Sequence, residues 1–192
     1  MQQPSETKLA HPPTIDLGEI LLRPVRYDDY EDIFDYASDD EVTKTLAWDS
    51  YQSIDDAIQA VQNVFLVRPS KGIPAAYAIY HKADQKMIGT VDFFQVDWAK
   101  ATGEIGYVLH RRYWNRGYMT RACQALIDYG FQQLRLKVID IRHLAENIGS
   151  KRVIEKCGFR YVGDVYHKRL DKDLPSYQMT RKEWRKNKKV SK

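Results

Sequence analysis

Apolar positions in the first third of the chain recur in two rhythms. Residues 19–25 predict a strand, and Tyr30, Ile33, Phe34 and Ala37 then fall on one face of a helix over residues 27–37. Ser53 stands three residues before Asp56, the spacing of a capping pair. The helix it opens carries Ile54, Ala57, Ile58, Val61, Val64 and Phe65 as an apolar stripe. A loop bearing Trp48 separates the two helices. From Ala75 the period drops to that of strands, with residues 75–80, 87–94 and 103–110 forming an expected antiparallel meander whose first two members join through the polar turn 81–86. Helical spacing returns at 117–131, where Met119, Ala122, Cys123, Leu126, Ile127 and Gly130 share one side. A β-branched run at 138–142, a short helix at 148–156 stopped by Gly158, and strands at 161–166 and 176–181 complete a mixed α/β order. No internal repeat or low-complexity linker interrupts it. Residues 14–184 are therefore expected to fold as a single domain, with a flexible N-terminal segment at 1–13 and a basic C-terminal tail at 185–192.

Composition narrows the classes. A chain of 192 residues with 43% hydrophobic content buries one sizeable core but not two comfortable ones. Thirty basic against 26 acidic side chains leave a net charge of +4, which does not fit a dedicated DNA binder with one strongly basic face. The cations after Thr180 read as a solvated end in preference to an RNA or membrane contact. Cys123 and Cys157 lack a paired spacing, and the five histidines are scattered, so neither a disulfide framework nor a metal site is expected. Residues 1–13 do not read as a secretion signal and no run approaches a membrane span; the expected location is cytoplasmic, with no membrane partner.

The most informative passage is a strand, Glu104-Ile105-Gly106-Tyr107-Val108-Leu109, followed by a connection and then Trp114-Asn115-Arg116-Gly117-Tyr118-Met119-Thr120 entering a long helix. The first amides of a helix have no internal partners and the dipole makes that end positive, so a phosphate is favoured there by about 1 kcal/mol. Gly117 lets the backbone approach closely, and Arg116 and Arg121 flank the turn as candidate charged donors.

The segment from Glu104 to Thr120 resembles the acetyl-CoA-binding core of the GNAT superfamily, and residues 18–184 resemble its RimJ/RimL-type branch. The residues that carry the likeness are ILLRPVRYDDYEDIF, DDEVTKTLAW, MIGTVDF, GEIGYVLHRRYWNRGYMTRA and AENIGSKRVIEKCGF. The resemblance implies a mixed, mostly antiparallel sheet of six or seven strands with a splayed strand pair, flanked by about four helices, with the cofactor in the splay. It assigns cofactor contacts to Val108, Leu109, Arg116, Gly117, Tyr118, Met119, Thr120 and Asn147. Two positions depart from the pattern: Met119 stands where a small residue is usual, and Asn115 where the branch commonly has glycine.

Transfer from a thioester to an amine needs a neutral amine, a donor to the thioester oxygen and a proton for the leaving thiolate. Asn147 and Ser150 match the family's N-x-x-S pattern, which implies Ser150 as general acid; Asn147 is also a good helix cap. Glu104 is the first choice of base, directly or through water, with Asp140 and His143 behind it. Trp48 and Tyr107 are the expected substrate-lining aromatics, Tyr107 reading also as a core residue. The implied activity is acetylation of a primary amine, with a protein or peptide N-terminus ahead of a polyamine or amino sugar; a non-catalytic acetyl-CoA-binding module is the competing class. Relatives commonly pair, so a homodimer is a possible assembly.

Overall fold

The computed structural model describes residues 3–190, with side chains described through Lys188. The chain runs through α1 (Glu6–Ala10), β1 (Ile15–Asp16), β2 (Ile20–Pro24), α2 (Tyr30–Ala37), α3 (Asp40–Thr43) and α4 (Ile54–Ala60), the last extended by a wider turn at Val61–Phe65. It continues through β3 (Tyr77–His81), β4 (Lys86–Asp97), β5 (Thr102–Leu109), α5 (Tyr118–Gln132), β6 (Val138–Arg142), α6 (Ile148–Lys156), β7 (Arg160–His167), β8 (Lys172–Thr180) and α7 (Arg181–Val190). Local chemistry explains several boundaries. The Ser53 and Asp56 capping box is made in full, with the Asp56 carboxylate accepting from the Ser53 amide at 2.9 Å.

Among the described residues eight strands form one sheet in the order β1-β2-β3-β4-β5-β6-β8-β7, where six or seven were expected. The additional pairing is β1, two residues long, on β2; seven α-helices are described where about four were expected, because α1 and α3 are too short to leave a period in the sequence and α7 is a run of cations around Trp184. Every neighbouring pair is antiparallel except β5 and β6, which the long α5 crossover makes parallel. Their ladder covers Thr102 to Ile105 on β5 against Val138 to Ile141 on β6. Strand β5 runs on to Leu109, still paired to β4 but not to β6, so a wedge opens between the two strands along residues 106–109.

Each face of the sheet has its own core. The larger gathers Phe93, Ile105, Ile139, Ile141 and Tyr177 under Met119, Ala122, Cys123 and Leu126 of α5 and Ile154 of α6. Gly130 is required there: a Cβ would lie 2.6 Å from Phe93 Cζ. The smaller packs Ile33, Tyr36 and Ala37 of α2 and Ala57 of α4 on Ala78 and Met87, with Val108 and Trp48 at its margin.

Within the described residues, Ser5 caps α1 and Leu9 is fully buried in the larger core. Helix α7 runs to Val190, with Trp184 against Phe131 and donating to Asp128 at 2.7 Å. Among the described residues no helix is long and apolar enough to cross a membrane.

Candidate active site

The turn into α5 has the geometry the sequence points to. Gly117 is the helix cap with φ +76°, a left-handed conformation that L side chains rarely adopt, and it makes no side-chain cap bond. A Cβ at Gly117 would meet nothing within 4 Å, so backbone conformation and access, not crowding, require glycine. Asn115 is also left-handed at φ +61°, a conformation asparagine tolerates. The departure at Met119 is absorbed because its side chain packs in the larger core, away from the helix entrance. Tyr118 is likewise buried, with its hydroxyl 3.2 Å from His81 Nε2 and donating to Glu19 at 3.2 Å. The side chains of the first turn thus serve as anchors and leave its backbone facing outward.

The two flanking arginines separate. Arg116 is exposed, its guanidinium 5.6 Å from the Tyr113 ring centre, and remains at the turn. Arg121 is committed elsewhere, donating to the Leu17 carbonyl and to Glu19, both at 3.1 Å. Trp114 folds back to donate to the Leu109 carbonyl at 2.7 Å.

Side-chain alternation along β5 divides the remaining candidates between the two faces. On the α5 face, Tyr107 reaches α6: its hydroxyl lies 2.8 Å from Ser150 Oγ and 3.2 Å from the Ser150 carbonyl oxygen. Burial pushes the Tyr107 phenol far above its ordinary range. Asn147 caps α6 by accepting from the Ser150 amide at 2.9 Å, and its Nδ2 donates to the Thr45 carbonyl at 3.2 Å. That second bond ties the loop carrying Trp48 to the start of α6, so the Asn147 side chain acts as a structural clip at the mouth of the wedge.

On the opposite face lie Glu104 and Val108. Glu104 accepts from Arg142 at 2.6 Å and stands in register with Asp140, which accepts from Gln178 at 3.0 Å. Burial raises the Glu104 carboxyl above the usual glutamate range, with Arg142 pulling against it. Trp48 lies half-buried beside Tyr51, ring centres 5.2 Å apart, against the smaller core. A bulge in β4 leaves Phe94 exposed over Gly106. The two aromatics expected to line one substrate, Trp48 and Tyr107, thus pack against different cores. His143 belongs to the Tyr107 side, packed on Tyr177 with Nδ1 bonded to the Leu144 carbonyl, and does not join Glu104.

Two partnerships escaped the sequence reading. Alternation along β6 puts Arg142 on the same face as Asp140, but its bond to Glu104 depends on the β5 and β6 register, which no local pattern encodes. The meeting of Tyr107 and Ser150 spans 43 residues and has no motif of its own.

Comparison with known proteins accords with this arrangement. Residues 19–160 match the family model described as an acetyltransferase (GNAT) domain. The uncharacterized N-acetyltransferase p20 of Bacillus licheniformis is 31% identical over 153 residues, covering 78% of this chain and 84% of that protein. The ribosomal-protein-serine acetyltransferase of Escherichia coli (strain K12) is 30% identical over 122 residues, 62% of this chain and 66% of that protein. Among solved structures, RimL, the ribosomal L7/L12 alpha-N-protein acetyltransferase in complex with coenzyme A, superposes with a TM-score of 0.77. It covers 89% of this chain and 99% of that one, and at 18% identity it speaks for the fold alone. The chain therefore belongs to the GNAT family of N-acetyltransferases and is an acyltransferase.

Proposed function

We propose that this chain transfers the acetyl group of acetyl-CoA to a primary amine, with a protein or peptide N-terminal α-amine as the favoured acceptor. The observation that carries the reading is the wedge between β5 and β6 opening beside an uncapped helix start whose cap residue, Gly117, is left-handed and unobstructed. Free amides at Gly117, Tyr118, Met119 and Thr120 suit a diphosphate, with Arg116 adding charge. The unpaired edge of β5 at Val108 and Leu109 suits the amide-bearing pantetheine arm, as an added strand would. When bound, the co-substrate supplies an activated acetyl thioester.

The chain's own residues do the rest. Glu104, largely buried on the opposite face, removes a proton from the incoming amine or from a water beside it, while Arg142 favours the charged carboxylate. Ser150 gives its proton to the leaving sulfur from the other face. The protein acceptor rests on the name of the Escherichia coli relative and on the exposed or half-buried aromatics Phe94, Trp48 and Tyr51, which offer a wall for an extended peptide. A panel of N-terminal peptides, polyamines and amino sugars incubated with acetyl-CoA, read by free thiol, tests the proposal. Thiol release with peptides supports it; release confined to small amines replaces the acceptor, and no release with any amine removes the activity.

A further inference from the structure

We infer that Tyr107 is a positioning residue for the proton transfer, holding Ser150 in the state in which it can give its proton away. The inference rests on the proposed role of Ser150 and extends it to a residue on a different element. Tyr107 has one hydroxyl proton and two acceptors on the same partner, Ser150 Oγ at 2.8 Å and the Ser150 carbonyl oxygen at 3.2 Å. When that proton points to Oγ, the serine proton is released to point elsewhere. When it points to the carbonyl, Ser150 donates to the tyrosine oxygen and its own proton is spent. The shorter contact is the one to Oγ.

Burial gives the pairing its direction. Tyr107 belongs to the apolar cluster beneath α5, and its phenol keeps its proton throughout the range in which amines react. It is therefore a hydrogen-bond donor and not an acid. As the amine nitrogen bonds to the acetyl carbon and the carbon–sulfur bond breaks, Ser150 passes its proton to the sulfur. The charge developing on Oγ is then held by the Tyr107 hydroxyl, in a site where such a bond is stronger than in water. The proton lost by the amine returns to Ser150 through water, so no proton is gained or lost by the protein. The Asn147 cap fixes the Ser150 amide at 2.9 Å, which keeps Oγ facing β5. Two bonds from separate elements thus hold one serine.

The test is a double-mutant cycle of Tyr107→Phe and Ser150→Ala, read with the acceptor that releases thiol fastest in the panel. Tyr107→Phe keeps the ring and removes only the hydroxyl. The expected result is a fall in kcat of about 10-fold, with acetyl-CoA affinity by calorimetry changed by less than about two-fold, and no further fall when Ser150→Ala is already present. Full kcat in Tyr107→Phe, a loss of acetyl-CoA affinity, or independent losses in the two variants would each overturn the inference. A fully active Ser150→Ala removes the parent reading, and this one with it. An impaired Ser150→Ala beside an intact Tyr107→Phe removes only this one. Should Tyr107→Phe not fold, Tyr107→Met keeps apolar bulk without the hydroxyl and should show the same fall in kcat with acetyl-CoA affinity unchanged; full kcat in that variant contradicts the inference.

Discussion

The two faces of β5 differ in kind, although they are made of alternate residues of one strand. The face toward α5 and α6 presents Ile105 and Tyr107 to an apolar core, and its polar chemistry is two hydroxyls and a cap. The opposite face presents Glu104 and Val108, and its polar chemistry is the ion pair of Glu104 with Arg142. A strand buried on one side usually leaves the other to solvent. Here both sides are partly covered, and β5 parts from β6 along residues 106–109. The division suits a two-substrate reaction: one face can be dry and hold a leaving group, while the other carries charge for an amine.

That contrast can be broken from either side. The largest effect is expected at the turn serving both faces. Gly117→Glu forces a side chain into a left-handed backbone and places a negative charge at the helix entrance, and acetyl-CoA affinity by calorimetry should fall by about 100-fold or more. Unchanged affinity would detach the turn from the cofactor. Next, Glu104→Gln should lower kcat/KM for the amine by roughly 10- to 100-fold while leaving acetyl-CoA affinity intact, since it touches only the charged face. Arg142→Gln sharpens the same point through pH. A base acts only when deprotonated, so activity is lost as pH falls through the Glu104 pKa. Burial already raises that pKa and Arg142 opposes the rise, so removing the cation moves the acidic limb of kcat/KM to higher pH. An acidic limb that stays in place would show that Glu104 is not the group titrating. The smallest effect belongs to Asn147→Ala. Loss of the cap should cost about 1 kcal/mol and lower Tm by roughly 2–4 °C, and cofactor affinity should hold within a few-fold.

Legibility in the sequence follows how local each feature is. The bounds of β6 and α6 agree with the expected 138–142 and 148–156, because a β-branched run and a capped amphipathic turn are complete within their own residues. The capping box at Ser53 and the glycine entering α5 were readable for the same reason. Helix α7 was not: Trp184 is a lone large aromatic amid a run of cations, and the partners it finds, Phe131 and Asp128, lie more than fifty residues away. Helix α1 hides similarly, with Leu9 as its single buried residue. At the site, the backbone features were visible and the side-chain partnerships were not. Tyr107 with Ser150, and Glu104 with Arg142, are set by the crossing of α6 over β5 and by a parallel register, both properties of the assembled sheet.

The central claim is that main-chain amides at the start of α5 receive the diphosphate. Titrating 15N-labelled protein with coenzyme A and following amide shifts tests it most directly. The account predicts that the largest changes fall at Gly117, Tyr118, Met119 and Thr120, with smaller ones at Val108 and Leu109. It is contradicted if those amides stay still while changes gather elsewhere in the molecule.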